Sequence, residues 1–180
     1  RQRQMCIRDR LIPNAVKAIG GNLNVLINNA SIFEYDNLNT STIESWQRHI
    51  GSNLQAPFFL TQAFSRQVPD ISLDENNEPI SHAVAINMID QRVKKLNPEF
   101  MTYTISKMGL WAFTQTAAQA LAPKVRVNAI GPGPTLKAAE QSEKNFLKQR
   151  SGVILERGSN IRDIVKACLL YTSPSPRDVE

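Results

Sequence analysis

The stretch AVAINMIDQRVKKLNPEFMTYTISKMGL, residues 83–110, holds the transition that decides the fold. Ala83–Ile89 is almost wholly apolar and short, as a strand buried on both faces of a parallel sheet requires. It ends on a single acid, Asp90. A polar loop follows, whose Lys94 and Lys95 read as solvated. From Phe100, FMTYTISKMGLWAFTQTAAQALA reads as one long helix with a broad apolar face. Within it Tyr103 and Lys107 stand four apart, so they share a helix face. An acid at the end of a buried strand, just ahead of that pair, needs an explanation.

The same alternation extends in both directions. NVLINNAS, Asn24–Ser31, reads as another strand buried on both faces. Leu11–Ile19 before it is the tail of a helix closed by Gly20-Gly21, and Ile32–Thr40 after it is a loop. Ser41-Thr42-Ile43-Glu44 has the capping-box pattern and opens a helix. Ile43, Trp46, Ile50, Leu54, Phe58 and Thr61 follow at helical spacing, with Pro57 interrupting. VPDISLDENNEPISH, residues 68–82, is a polar surface loop. KVRVNAIGPGP is a third strand running into a Gly/Pro turn, followed by helices around Ala138–Arg150 and Asn160–Leu170. Strand–helix–strand–helix–strand–helix argues for right-handed crossovers. The expected fold is α/β: a doubly wound, Rossmann-like parallel sheet of about three strands with flanking helices, a truncated version of that architecture.

Of the net charge of +5, the first ten residues, RQRQMCIRDR, supply four arginines against one aspartate, leaving +2 for the rest. The basic balance is therefore a weak argument for a nucleic-acid partner, and none is expected. Residues 1–10 show neither helical nor strand period, and the chain from Cys168 breaks into Ser-Pro repeats. Both resemble translated sequencing-adapter sequence. Residues 11–167 are therefore taken as the domain, with 1–10 and 168–180 as non-native or disordered ends. Cys6 and Cys168 fall in those ends, so no disulfide framework or metal site is expected. No signal peptide or membrane-length apolar run stands out, and a cytoplasmic protein is expected. His49 and His82 read as structural or exposed, Trp46 and Trp111 as core or subunit interface.

In open parallel sheets ligands bind at the carboxyl ends of the strands. The polar clusters there are Asn28–Ser31, Asp90 and Gly131–Thr135, which would line one crevice. A proline at 57 has no N–H for the carbonyl of Asn53. That carbonyl is free to hold a water, or the kink is simply tolerated. A Lys107 ammonium near Tyr103 would stabilise the phenolate and lower the tyrosine pKa from about 10.

These residues resemble the short-chain dehydrogenase/reductase family, through Asn28-Asn29-Ala30, Asn53, Tyr103-x-x-x-Lys107 and Pro132-Gly133 in order. The resemblance covers nearly all of residues 11–167. It implies that Tyr103 donates a proton while a nicotinamide delivers hydride, that Lys107 holds the nicotinamide ribose, and that Asn53 binds a relay water. It further implies a cofactor site at Asn28, Ala30, Ser31, Lys107, Pro132, Gly133 and Thr135. The family usually has serine thirteen residues before the tyrosine, where this chain has Asp90. That departure resembles the pteridine reductases, as do NNASIF and RVNAIGPGPT. The resemblance then implies a pterin substrate contacted by Asp90, Tyr103 and Phe33, and NADPH as cofactor with NADH still open. Asp90 is either engaged with a pterin or a loop cap. Phe33 either stacks on a flat ring or packs in the core. The glycine-rich phosphate turn of the family is not in this sequence, so the chain by itself is expected to be inactive. A generic carbonyl reductase, such as a 3-oxoacyl-carrier-protein reductase, and a non-catalytic dinucleotide-binding sensor are the alternatives. The resemblance also implies a homo-oligomer, a dimer or tetramer.

Overall fold

The computed structural model describes residues 2–137 and 141–172, with side chains from Arg10 onward. The elements are α1 (Gln2–Ile19), β1 (Val25–Asn28), α2 (Ile43–Ile50), a π-helical turn (Gly51–Gln55) and α3 (Ala56–Gln67). Next come β2 (Ser72–Leu73), β3 (Pro79–Ile80), β4 (Ala83–Met88), a 3₁₀ turn (Gln91–Val93) and α4 (Met101–Leu121). The chain continues with β5 (Val125–Ile130), α5 (Glu143–Ser151) and α6 (Ile161–Thr172). Strands β1, β4 and β5 form one parallel sheet in the order β1-β4-β5, flanked by helices as expected. The loop expected at residues 68–82 contains the short antiparallel β2–β3 hairpin.

Side chains alternate across β4, so its two faces bury different sets. Ala83 and Ala85 join Ile12, Phe64, Val68, Ala117, Val125 and Val127 under α1, α3 and α4. Val84, Ile86 and Met88 join Ile130 against Ile164, Ala167, Cys168 and Tyr171 of α6. All six residues of β4 are buried.

The expectation that β1 is buried on both faces is wrong. Leu26 packs into the first cluster, but Val25 and Ile27 are 36% and 43% exposed. They pair in register with Val84 and Ile86, so they lie on the α6 face of the sheet. β1 is an edge strand, and α6 packs on β4 and β5.

The capping box also differs from its expected position. Thr42 is the N-cap, not Ser41, and Ser45 reciprocates in place of Glu44. The Ser41 hydroxyl instead donates to the Asn37 carbonyl at 2.6 Å. Around Pro57 the helix widens before the proline rather than kinking at it. Ala56 N–H bonds Gly51 O, one residue beyond α-helical spacing, and α3 restarts with Pro57 in its first turn. Trp46 is exposed on α2; Lys94 and Lys95 are exposed as expected, with the Lys94 ammonium 5.6 Å from the Trp111 ring centre.

Helices run through part of both terminal segments. α1 begins at Gln2; residues 2–10 contain no glycine or proline to stop it. α6 continues to Thr172, with Cys168 and Tyr171 packed on the sheet. Residues 1 and 173–180 lie outside the described residues, as do 138–140 of the helix expected from Ala138. No described helix is long and apolar enough to cross a membrane.

Candidate active site

The three strands are parallel, so they end on the same edge of the sheet; the loops after β1 and β4 reach the first turns of α4, and the turn after β5 lies beside Asp90 and Gln91. Asn53, buried in the π-turn, ties two of these parts together. Its Oδ1 accepts Ile32 N–H at 2.8 Å and the Ser31 hydroxyl at 3.2 Å. Its Nδ2 donates to Ile32 O at 2.9 Å and to Ser106 Oγ at 3.1 Å. Ser106 in turn donates to the Tyr103 carbonyl at 2.6 Å. The Asn53 side chain therefore holds the loop after β1 against α4. Close approach is possible because residue 109 is glycine: a Cβ there would lie 2.7 Å from Leu54 Cδ2.

Tyr103 is buried, and its hydroxyl donates to Asp90 Oδ2 at 2.8 Å. The other carboxylate oxygen of Asp90 accepts Arg92 N–H at 2.8 Å and caps the 3₁₀ turn. Asp90 is therefore a loop cap that also touches the tyrosine. Lys107, also buried, donates from Nζ to Met88 O at 2.7 Å, and its ammonium lies 5.7 Å from the Tyr103 ring centre. Burial lowers the Lys107 pKa to about 8, with the Asp90 charge pulling the other way.

Here one expectation is overturned. Tyr103 is not shifted toward the phenolate. Burial, then the Asp90 charge and hydrogen bond, push its pKa well above the ordinary value of 10.0. An adjacent carboxylate and a low-dielectric site both disfavour a second negative charge. Tyr103 therefore stands in this site as a neutral hydroxyl.

Phe33 stacks on Phe100, centroids 4.3 Å apart and planes 5° from parallel, and meets Tyr103 edge-on at 4.7 Å. It remains partly exposed, so it packs and also presents surface at the crevice. The Arg92 guanidinium lies 4.7 Å from the Phe100 ring centre.

The expected cofactor residues divide into two groups. Asn28 is buried in a polar seam, donating to Asn87 Oδ1 at 2.8 Å and to Thr61 Oγ1 at 3.2 Å, and Asn87 continues it to Thr114. Ala30 and Ser31 are exposed where the chain leaves β1. Across the crevice, Thr135 donates to Gly133 O at 3.0 Å and bonds Ser159 Oγ at 2.7 Å. The Pro132–Thr135 turn is clasped by Arg150, which donates to Pro134 O, Gly158 O and Ser159 O at 2.9–3.0 Å. A side chain at position 158 would collide with Pro134 O, which explains the glycine.

Sequence reading missed Asp36, His49, Thr102, Ser106 and Arg150 as parts of this assembly. Ser106 carried a usable signal, since it sits on the buried stripe of α4 one turn after Tyr103. The others act across long separations in sequence and carry no local pattern. Among the described residues no group of acids, histidines and cysteines is arranged to hold a metal.

A tyrosine and a lysine one turn apart over the carboxyl ends of parallel strands define the class, a short-chain dehydrogenase/reductase. Residues 9–179 match the family model described as enoyl-(acyl carrier protein) reductase, and the chain belongs to the short-chain dehydrogenase/reductase family. The alternative dihydrofolate reductase FolM from Brucella canis, solved with NADP, superposes with a TM-score of 0.82 at 36% identity. That match covers 92% of this chain and 62% of the other. A probable galactose dehydrogenase of Rhizobium meliloti is 29% identical over 86% of this chain and 59% of its own length. Pteridine reductase 1 of Leishmania tarentolae is 26% identical over 71% of this chain and 44% of its own. The chain thus spans about three fifths of the length of the first relatives it matches.

Proposed function

We propose that these residues are the catalytic portion of an NADPH-dependent reductase that acts on a pterin ring, a dihydropterin or dihydromonapterin. The observation that carries the reading is the Tyr103–Asp90 hydrogen bond at 2.8 Å, in a site edged by Phe33. An acid at this position suits a substrate that offers ring N–H and amino groups; it suits an isolated ketone poorly. The FolM structures, solved with NADP, and the pteridine reductase relative support the same substrate class and cofactor.

The chain's own residues fit a nicotinamide. Lys107 holds a buried ammonium that donates to Met88 O, and its other N–H groups would serve the ribose hydroxyls. The turn at Gly133 is open, since a Cβ there would meet only Gln91 Oε1, at an ordinary contact distance of 3.8 Å. Thr135 and the Pro132-Gly133 backbone would face the ring from the other side. Held there, a nicotinamide would supply hydride for the carbon of a ring C=N. Tyr103 supplies the proton to the nitrogen, so the double bond gains both hydrogens. Its raised pKa keeps that proton on the hydroxyl, held against Asp90 until a substrate nitrogen competes for it. Asn53 keeps the loop bearing Phe33 in place.

The reading extends to a cytoplasmic homo-oligomer. Phe58 and Phe59 on α3 and Ile105 and Met108 on α4 are exposed apolar residues suited to a subunit contact. The test is a substrate panel on the complete reductase with NADPH. Oxidation driven by dihydropterin is expected; turnover of oxoacyl thioesters with none of pterins would overturn the reading in favour of a carbonyl reductase.

A further inference from the structure

Helix α4 carries both Tyr103 and Lys107, yet it begins without a cap of its own. Its N-cap residue, Phe100, sits in the left-handed region at φ 56°, ψ 49° and offers no side-chain hydrogen bond. The first N–H groups of a helix need acceptors. A single residue of the loop after β1 supplies them. Asp36 O accepts Phe100 N–H at 2.7 Å and Met101 N–H at 3.3 Å, and Asp36 Oδ1 accepts Thr102 N–H at 3.1 Å.

The contact continues inward. Thr102 Oγ1 donates its only proton to Asp36 Oδ2. The same oxygen lies 2.7 Å from His49 Nδ1, so it can only accept there, and Nδ1 carries the histidine proton. His49 Nε2 is then bare and accepts Glu34 N–H at 3.2 Å. Glu34 is the neighbour of Phe33. Asp36, Thr102 and His49 are all buried. We propose that they form a proton-ordered relay that locks the Phe33 loop to the start of α4, which makes Asp36 a positioning residue for Tyr103 and Phe33. The proposal rests on the pterin-reductase reading only in naming Tyr103 as the proton donor.

The electrostatics agree with that order. Burial pushes the Asp36 pKa up, but the Thr102 hydroxyl and N–H and the Ser45 hydroxyl outweigh it and leave the carboxyl below its ordinary range. Burial holds His49 below its ordinary value, against the pull of Asp36 and Glu34. An ionised acid and a neutral imidazole are the two states the relay needs.

Asp36→Asn inverts the order. The new amide keeps an oxygen for Thr102 N–H but points an N–H at Thr102 Oγ1. The hydroxyl must then donate to His49 Nδ1, and the imidazole proton moves to Nε2, where it opposes Glu34 N–H. A residue that merely capped a helix would cause no such swap.

The test is side-chain nitrogen NMR of His49 in the 180-residue chain, with the ring signals of Phe33 and Tyr103 followed in the same samples. Wild type is expected to be protonated at Nδ1. Asp36→Asn is expected to move the proton to Nε2 and shift both ring signals. Thr102→Val, which keeps the amide bond to Asp36, is expected to shift the ring signals and end the Nδ1 preference; Thr102→Ser is expected to match wild type. Protonation at Nε2 in wild type, or an unmoved proton in Asp36→Asn, overturns the proposal. Should Asp36→Asn fail to fold, the Thr102 pair decides: identical spectra for Val and Ser overturn it. None of these signals depends on turnover, so a chain that reduces no pterin still answers the question.

Discussion

The two faces of the sheet are built from the same strands and differ in what covers them. On one face α1, α3 and α4 close over Ala83, Ala85, Val125 and Val127, and Leu26 of β1 is packed with them. On the other, α6 closes over Val84, Ile86, Met88 and Ile130, while Val25 and Ile27 stay open beside them. The pair Ile27 and Ile86 shows the contrast most directly. They are register partners on one face, of one residue type, and 43% and 0% exposed. Burial in a parallel sheet therefore belongs to the position under a helix and not to the strand's composition. The candidate site follows the face under α4, because Tyr103 and Lys107 ride on that helix.

The largest expected effect lies in that chemistry. In the complete reductase Asp90→Ala should lower kcat by roughly 10²–10⁴, the usual worth of an acid/base group. Thermal stability should fall by at most about 1 kcal/mol, for the lost cap of the 3₁₀ turn. An unchanged kcat would reduce Asp90 to a cap. Next comes packing. Ile86→Ala should cost about 2–5 kcal/mol in a urea titration, as a full cavity under α6 does. A small value would show that α6 does not seal its face.

Lys107 should move stability the other way. Its folded pKa is about 8 against 10.5 unfolded, so the buried charge is a burden on the fold at neutral pH. Between those two values the unfolded chain holds more protons, and stability should rise with pH. Lys107→Met should stabilise by about 1–3 kcal/mol while abolishing turnover. A destabilised variant would mean that the bond to Met88 O outweighs the buried charge.

His49 gives a smaller, pH-dependent contribution. It is buried among Asp36, Glu34, Arg48 and Thr102, and its folded pKa lies below 6.5. Its stabilisation should be complete above pH 6.5 and lost as pH falls through the depressed folded value. Melting curves across that range should slope downward toward acid, and His49→Gln should flatten the slope. The smallest effect is expected at the open position. Ile27→Ala should change stability by less than about 0.5 kcal/mol. Ile27→Lys should leave the fold intact and reduce self-association in sedimentation, because it places a charge on an exposed edge strand. A loss comparable to Ile86→Ala would show that the two positions share a cover.

Much of this was legible in the sequence for a physical reason. β4 is buried throughout and α4 is long and periodic, so AVAINM and the Tyr103–Lys107 helix read correctly. Asp90 stood out because an acid ending an apolar run is costly without a partner. VLIN in β1 misled because its composition matches a buried strand while its neighbours decide its exposure. Tyr103 misled because Lys107 is close in sequence, whereas the groups that set its pKa are burial and an acid thirteen residues away. Asp36 was invisible: its partner Thr102 lies 66 positions on, and no local pattern joins them.

The widened turn at Gly51–Gln55 has a consequence in helical phase. His49, Asn53, Pro57 and Thr61 are all buried, each four residues after the last. In an unbroken α-helix every four-residue step overshoots a full turn by about 40°. By Thr61 the row would have drifted about a third of the way round the rod. The π-turn absorbs the excess like a vernier, so that His49 meets Thr102 and Thr61 still reaches Asn28 along one seam. Deleting one residue there would leave the row within about 20° of its present phase, but a regular α-helix of unchanged length would rotate everything after it by about 120°. Phe64 would leave the core, and the seam would open at the point where the helix itself had been improved.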